Sequence, residues 1–330
     1  MQSLIAIVFA ALFLFDSSWA QTPVADAADV AKGGALNDWL VRIHEASKRR
    51  AYTGTFVVST SQAMSSARIW HVCDGLQQVE RVDALTGPPR TTVRRNDDVV
   101  TFLPENRIQI QEKRTALGLF PALLQTQGQT VAEHYLLKPQ GQQERVAGWE
   151  TEVFELLPKD DLRFGYRVWV ERKTGLVLKL QTLDTARQPL EQVAFSELTL
   201  NAPLRVDALL KEMKARAGYA IQKTSTHDTT PEQQGWRLRN PVPGFQTVSC
   251  QVKTQPAGAA PWQWVLSDGL TSVSLFIEKF QPNLHVQEGQ MSSGATYTLF
   301  RRQGEHWLTV IGEVPPKTLV RFAGELERLP

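Results

Sequence analysis

The sequence predicts an α+β protein of two domains, in which a long antiparallel meander curls around an N-terminal helix and a smaller α+β unit follows. Three observations predict this arrangement. A chain of 330 residues exceeds the usual size of one hydrophobic core. A helical pattern of apolar residues precedes a long run of segments with two-residue periodicity. The Asn-Ala-Pro string at residues 201–203 then interrupts this run before a second, shorter series of strands.

The first 20 residues have the pattern of a secretory signal peptide. Residues 4–15 are apolar, and the Ser-Trp-Ala string at residues 18–20 places small residues at the two positions that a signal peptidase reads. The segment departs from the usual pattern because residues 1–3 carry no Lys or Arg. We expect cleavage after Ala20, export, and a flexible leader over residues 21–34. No later segment approaches the roughly 18–20 apolar residues that are needed to cross a bilayer.

Residues 35–200 form the predicted N-terminal domain. An amphipathic helix is expected from about Ala35, with its apolar positions at Leu36, Trp39, Leu40 and Ile43. From Tyr52 onward the period changes to two, which predicts a series of strands. A short apolar helical piece at 117–125 divides the strands into two groups. A meander of this kind that does not close on itself leaves an apolar groove.

Residues 201–234 are predicted to form a helix and a linker, and residues 235–330 a smaller domain. The helical pattern covers residues 206–217, and the polar residues 224–234 are interpreted as a flexible linker. Six strands are expected between residues 235 and 311. Pro315 and Pro316 then open a final helix, because proline is favoured at the first helical position.

Charge and cysteine content exclude some functions and leave one question open. The chain has 36 Lys and Arg against 34 Asp and Glu, a formal net charge of +2, which is too small an excess to predict nucleic-acid binding. Cys73 and Cys250 fall in different predicted domains. An oxidising compartment permits a disulfide between them, but the Cα atoms of the two cysteines would then have to lie within roughly 7 Å of each other. The sequence favours two separate thiols.

Catalytic motifs are absent from the sequence. It contains no H-E-x-x-H, no G-x-S-x-G, no P-loop and no dinucleotide-binding glycine motif. The six histidines are scattered, with no pair at metal-ligand spacing on one element. We therefore predict a binding protein without cofactor or metal. An exported serine hydrolase stays open as an alternative, because catalytic triads are formed in space rather than along the sequence.

Nine tryptophans supply the strongest candidates for binding. Trp39, Trp70 and Trp169 are expected to line or back the apolar groove, because large rings bury much area, with ordinary core packing as the alternative for each. Trp262 and Trp264 flank Gln263, so both rings are expected on one face of a strand. The pattern leaves open whether that face meets the core or a partner.

Eleven short strings resemble the RseB/MucB family of sigma-E regulatory proteins. In the N-terminal part they are WLVRIH (39–44), YTGTFV (52–57), RIWH (68–71), ERVAG (144–148), PKD (158–160), RFGYRVW (163–169), TGL (174–176) and LEQVAF (190–195). In the C-terminal part they are PGF (243–245), SDGLTSVS (267–274) and GEVP (312–315). The match spans nearly the whole mature chain in the expected order. It departs at residues 86–92, where the family turn is expected to carry acidic residues, and at Cys73.

The resemblance implies a fold and a function. The fold is an N-terminal unclosed antiparallel β-barrel around helices, similar to the LolA and LolB lipoprotein carriers, plus a smaller C-terminal α+β domain. The function is negative regulation of the envelope-stress sigma factor from the periplasm. The protein would bind the periplasmic part of a membrane anti-sigma factor of the RseA or MucA type and shield it from regulated proteolysis. Lipid or lipopolysaccharide would weaken that hold by linkage, and a homodimer stays open.

The resemblance also suggests where ligands bind. Arg68, Arg81 and Arg163 are expected at the groove mouth, where guanidinium groups would meet lipid phosphates. The anti-sigma partner is expected on the C-terminal domain and the interdomain cleft, at Trp262, Trp264 and Phe276. The main alternative is a periplasmic carrier of lipoproteins or acyl chains, which would use the same groove.

Overall fold

The computed structural model describes residues 27–113, 129–254 and 262–330. The predicted cleavage site after Ala20 and the helical piece predicted at 117–125 lie outside the described residues. The described part confirms an α+β fold with an unclosed antiparallel sheet in its N-terminal half.

The first sheet has twelve strands in the order β12-β6-β5-β4-β3-β2-β1-β11-β10-β9-β8-β7. Their bounds are β1 Tyr52–Thr60, β2 Met64–Cys73, β3 Gln78–Ala84, β4 Thr91–Arg95, β5 Asp98–Leu103, β6 Ile108–Lys113, β7 Tyr135–Val146, β8 Trp149–Pro158, β9 Gly165–Glu171, β10 Val177–Leu183, β11 Pro189–Leu200 and β12 Ala220–Lys223. All pairs are antiparallel except β12 with β6. The described strands at the two edges, β12 and β7, are not paired with each other, so this sheet is open.

Helix α1 (Ala27–Arg49) lies against one face of this sheet. Its apolar stripe is buried in one core with the alternate residues of β1, namely Tyr52 and Phe56. The short helix α2 (Gln129–His134) contacts α1 and leads into β7. Gly54 permits a close approach here, because a Cβ at this position would lie 2.9 Å from the Phe195 ring.

Helix α1 begins eight residues earlier than its amphipathic pattern predicts. The interpretation of residues 21–34 as a flexible leader is therefore wrong from Ala27 onward. Amphipathic periodicity predicts a helix only where its apolar residues recur at helical spacing, and the sequence of residues 27–34 lacks that spacing.

The segment after β11 differs from its prediction. Helix α3 (Val206–Lys211) ends where the periodic pattern still continues. The chain instead wraps over the sheet face opposite to α1, where the Tyr219 ring lies edge-on to Phe102 and the Arg216 guanidinium lies 3.9 Å from that ring. Strand β12 then joins the edge of the first sheet, so this sheet reaches Lys223.

The C-terminal domain contains a seven-stranded sheet and one described helix. The sheet order is β13-β15-β16-β17-β20-β19-β18, and β14 pairs with β21 in a separate ribbon. The bounds are β13 Ser225–Asp228, β14 Trp236–Leu238, β15 Gln246–Thr254, β16 Trp262–Ser267, β17 Ser272–Lys279, β18 Gly289–Ser293, β19 Thr296–Gln303, β20 His306–Gly312, α4 Pro316–Glu325 and β21 Leu326–Arg328. Within the predicted linker 224–234, residues 225–228 form β13, so that interpretation is partly wrong: polarity indicated exposure rather than a lack of structure.

Candidate functional site

A buried ion pair joins the two domains. Arg163 lies in the turn between β8 and β9 and is fully buried, and its Nε donates to Asp268 Oδ2 at 2.7 Å. Its Nη1 pairs with Asp160, and its Nη2 donates to the carbonyl oxygen of Pro243 at 2.9 Å. The guanidinium plane also lies over the Phe245 ring, 5.1 Å from its centre. Every nitrogen of Arg163 therefore binds within the protein.

Asp268 has two structural roles, one for each carboxylate oxygen. Oδ1 accepts the backbone N–H groups of Leu270 and Thr271, each at 2.9 Å, and thereby shapes the turn between β16 and β17. Oδ2 accepts hydrogen bonds from Arg163 and from the hydroxyl of Tyr135 at 3.1 Å. The carboxylate therefore connects the C-terminal turn rigidly to the N-terminal domain.

Two tyrosines of the N-terminal core hold the same turn. The rings of Tyr135 and Tyr166 belong to the core around α1, with their centres 6.2 Å apart. The Tyr135 hydroxyl donates to Asp268, and a side-chain hydrogen bond joins Tyr166 to Thr271. Burial raises the pKa of both phenols well above the usual value, so both hydroxyls keep their protons at neutral pH.

Each domain also buries one leucine side chain of the other domain in its hydrophobic core. Leu162 belongs to the C-terminal core, and Leu270 belongs to the N-terminal core around α1. The Thr318 hydroxyl of α4 donates to the carbonyl oxygen of Leu162 at 2.7 Å, and Lys317 pairs with Asp161. Each domain thus completes part of the other's hydrophobic core, which favours one relative orientation of the domains.

Gly244 allows the backbone to approach this junction closely. It has φ +80°, and a Cβ there would collide with the Arg163 guanidinium and lie 2.5 Å from His134 Nε2. Burial lowers the pKa of His134, and the neighbouring Arg163 charge lowers it further. A neutral imidazole is therefore expected beside Arg163 at physiological pH.

A second contact between the domains contains two carboxyl groups. A Cβ on Gly294, in the turn between β18 and β19, would collide with Glu191 and lie 2.7 Å from Thr60 Cγ2. Burial raises the pKa of Glu191, against the effect of the hydrogen bond from the backbone N–H of Ala295. Burial, together with the nearby charge of Glu191, raises the pKa of Glu313 to about 8.

Three of the predicted groove residues lie on the sheet face opposite to α1. Trp70 packs with the residues that α3 covers, whereas the adjacent Ile69 is fully buried in the core around α1. The guanidinium groups of Arg68 and Arg81 lie 5.5 and 5.0 Å from the Trp70 ring centre. Because side chains of a strand alternate between faces, these residues cannot share a groove with α1.

Arg163 also lies elsewhere than the sequence predicts. It was expected at a groove mouth, but it is fully buried at the domain junction, where Asp268 and Asp160 pair with it. The sequence gives its type and charge but not its partner, which lies 105 residues away.

Trp39 and Trp169 are both nearly buried and belong to the same apolar cluster. The Trp39 ring centre is 5.2 Å from that of Phe154, and its Nε1 has no hydrogen-bond partner in the described part of the chain. Trp169 Nε1 donates to Glu144 at 2.8 Å, and the Lys179 ammonium lies 4.1 Å from its ring centre. Phe154 is in register with Val168, so Trp39 faces the interior that contains α1, whereas Trp169, the neighbour of Val168 on β9, points to the other face of the sheet.

The predicted partner-binding residues divide between two faces of the C-terminal sheet. Trp262 and Trp264 are buried in the core that α4 covers, with ring centres 6.4 Å apart. Phe276 faces the other way and is partly exposed, in register with Gln263 and Thr309. Among the three, only Phe276 is partly exposed.

Sequence reasoning missed the residues that form the junction. Tyr135, Leu162, Asp268 and Leu270 were not singled out as site residues. The available signal was the set of family-like strings, because RFGYRVW, PKD, PGF and SDGLTSVS all contribute residues to this one place. Cys73 and Cys250 are free thiols, and burial raises the pKa of Cys250 to about 12. In the described ranges no helix is both long and apolar enough for a membrane span.

The open sheet around helices, the second sheet domain and the buried junction define a two-domain binding protein. The chain belongs to the MucB/RseB family: models of the MucB/RseB N-terminal and C-terminal domains match residues 35–214 and 230–327. This confirms the resemblance noted in the sequence strings.

Named relatives and solved structures of this family match nearly the whole chain. The sigma factor AlgU regulatory protein MucB of Pseudomonas aeruginosa is 29% identical over 319 residues, which covers 94% of this chain and 95% of that protein. The sigma-E factor regulatory protein RseB of Salmonella typhimurium is 25% identical, with 91% and 92% covered. A structure of the Pseudomonas aeruginosa MucA/MucB complex matches with a TM-score of 0.68 and 25% identity, over 90% of this chain and 99% of that chain.

Proposed function

We propose that this protein is a periplasmic negative regulator of an envelope-stress sigma factor. It binds the periplasmic part of a membrane anti-sigma factor of the RseA or MucA type and protects it from regulated proteolysis. The observation that carries this proposal is the match, over 90% of the chain, to a MucB structure in complex with MucA. The predicted signal peptide at residues 1–20 supports a periplasmic location.

The partner-binding surface is the face of the C-terminal sheet that points away from α4. Phe276 lies on this face between Gln263 and Thr309, and Phe300 is the next residue across β20. Both phenylalanines are partly exposed. Aromatic side chains that are half buried before binding supply large contact area at a small entropic cost, which suits a binding surface.

The binding experiment uses the mature protein and a purified periplasmic domain of a MucA-type anti-sigma factor. Calorimetry on the Phe276→Ala variant is expected to show affinity at least tenfold weaker than wild type, as for a central aromatic contact. The Leu76→Ala variant is the matched control, because Leu76 is 93% exposed on the N-terminal domain. Failure of the wild-type protein to bind, or to slow proteolysis of the anti-sigma domain, would refute the proposal.

The lipid signal is proposed to enter the N-terminal interior. Trp39 lies in the core around α1, inside a sheet whose described edge strands do not pair with each other, so an apolar chain has a side from which to approach. A ligand that prefers the partner-free protein weakens partner binding by its differential affinity. A carrier would instead bind many lipoproteins, and capture from solubilised membranes separates the two: a regulator retains an anti-sigma protein, and a carrier retains diverse lipoproteins.

A further inference from the structure

The turn between β16 and β17, residues 267–271, is bound by the N-terminal domain through three of its side chains. We call it the coupling turn. We propose that the coupling turn is the element through which an acyl chain in the N-terminal interior weakens the hold of the C-terminal domain on its partner. This inference rests on the proposed function and adds the route by which the two sites communicate.

The first step is competition for apolar space. Leu270 is 6% exposed and, among the described buried residues, is the only one from the C-terminal domain in the core around α1. That core also contains Trp39, beside which the acyl chain is proposed to lie. Protein cores are packed as densely as organic crystals, so an inserted chain must displace resident side chains. Leu270 is the resident that can leave without unfolding the N-terminal domain, since its backbone belongs to a turn of the C-terminal domain.

The second step is mechanical. Asp268 Oδ1 accepts the backbone N–H of Leu270, and the Ser267 hydroxyl donates to the carbonyl oxygen of Thr271 at 2.7 Å and accepts the N–H of Gly269 at 3.0 Å. These bonds make the coupling turn one rigid unit. When Leu270 moves, Asp268 Oδ2 therefore moves with it, away from Arg163 and Tyr135.

The third step carries the displacement to the partner surface. The coupling turn continues directly into β17, whose first residue is Ser272 and which carries Phe276. Thr271 also donates to the carbonyl oxygen of Glu313 at 3.0 Å, at the end of β20, the strand that pairs with β17. A shift of the coupling turn thus reaches two adjacent strands of the proposed partner surface.

Linkage makes the inference measurable with the full mature chain. The probe is cis-parinaric acid, whose fluorescence reports its own binding, and the partner is the periplasmic domain of a MucA-type anti-sigma factor. In wild type, saturating probe is expected to weaken partner affinity at least tenfold, and saturating partner must weaken probe affinity by the same factor. In Leu270→Ala the probe is expected to bind several-fold more tightly, and the coupling factor is expected to fall below two.

A second variant and a control separate loss of coupling from loss of probe binding. Tyr135→Phe keeps the ring in the core and removes the hydrogen bond to Asp268, so probe affinity is expected to stay within twofold of wild type while coupling falls at least threefold. Leu162→Ala removes the opposite exchanged side chain and is expected to retain coupling, because the coupling turn is intact. If wild type shows coupling that both Leu270→Ala and Tyr135→Phe retain, the inference is overturned and the proposed function stands. If wild type shows no coupling, the lipid signal of the proposed function fails and the inference fails with it.

Discussion

Leu162 and Leu270 exchange places between the two domains: the leucine of the N-terminal domain is buried in the C-terminal core, and the leucine of the C-terminal domain is buried in the N-terminal core. Between them lies the Arg163–Asp268 ion pair, with both side chains fully buried. Charged groups of this kind require a partner, whereas the leucines require only apolar surroundings. The relative orientation of the domains is therefore set mainly by the polar groups, and the leucines add stability to that orientation.

Removal of Asp268 should be strongly destabilising. Asp268→Ala leaves the Arg163 guanidinium buried without its main counter-charge, and loss of one partner of a buried pair costs about 3–5 kcal/mol. The free energy of unfolding in urea measures this loss. The double variant Arg163→Met/Asp268→Ala should recover the part of this loss that comes from the unpaired guanidinium, but not the part that comes from the N–H groups of Leu270 and Thr271, which lose their acceptor. As a control, Asp207→Ala removes the partner of Arg205 in an exposed pair and should leave the unfolding curve unchanged.

Gly244→Ala should weaken the junction by a steric route. The new Cβ would collide with the Arg163 guanidinium, and φ +80° is a conformation that alanine adopts with strain. Gly75→Ala is a matched control: Gly75 has φ +88°, but no atom lies within 4 Å of its Cβ position. The control measures backbone strain alone, about 1 kcal/mol. Gly244→Ala is expected to cost more by at least about 1 kcal/mol, the usual minimum for overpacking, and equal losses would contradict the steric argument.

Periodicity in the sequence predicts most of the described elements, because it reports directly on burial. The alternation after Tyr52 identifies the strands of the open sheet, and the spacing of Leu36, Trp39 and Leu40 identifies the packed part of α1. Periodicity fails where a strand buries neither face. Strand β13 is polar and pairs at a sheet edge, so its residues carry no apolar signal.

The site was less predictable because its members are distant in sequence. Alternation correctly places Trp262 and Trp264 on one face, but only the position of α4 decides that this face is the core. The same alternation puts Trp70 and Ile69 on opposite faces, and the sequence does not say which face holds α1. The pairing of Arg163 with Asp268 depends on how two domains meet, which local pattern does not encode.

Replacement of Gln109 should stabilise the protein. This side chain is fully buried on β6, and within the described residues neither atom of its amide has a hydrogen-bond partner. Burial of an unpartnered amide costs about 1–3 kcal/mol, so Gln109→Met, which keeps the length of the side chain, should raise the free energy of unfolding by an amount of that order. Gln111→Met on the same strand is the control, because Gln111 is partly exposed and its replacement should change little. Destabilisation by Gln109→Met would indicate that a buried water satisfies the amide.

The contribution of Glu313 to stability should fall as the pH rises from 5 to 8, whereas His71, whose pKa burial lowers to about 4, contributes a slope of the opposite sign. Burial raises the pKa of Glu313 to about 8 in the folded protein, whereas a glutamate in the unfolded chain has a pKa near 4.5. Between these pH values the folded state binds more protons than the unfolded state. The contribution of Glu313 to the free energy of unfolding is therefore fully present below pH 4.5 and is lost as the pH approaches 8. Burial also raises the pKa of Glu80, to about 7, which produces a slope of the same sign.

The difference between wild type and Glu313→Gln cancels the Glu80 contribution. Urea unfolding at several pH values should therefore show Glu313→Gln gaining on wild type from pH 5 to 8. Parallel curves would mean that the Glu313 carboxyl titrates normally and that its contact with Glu191 across the domain interface is not closed in solution.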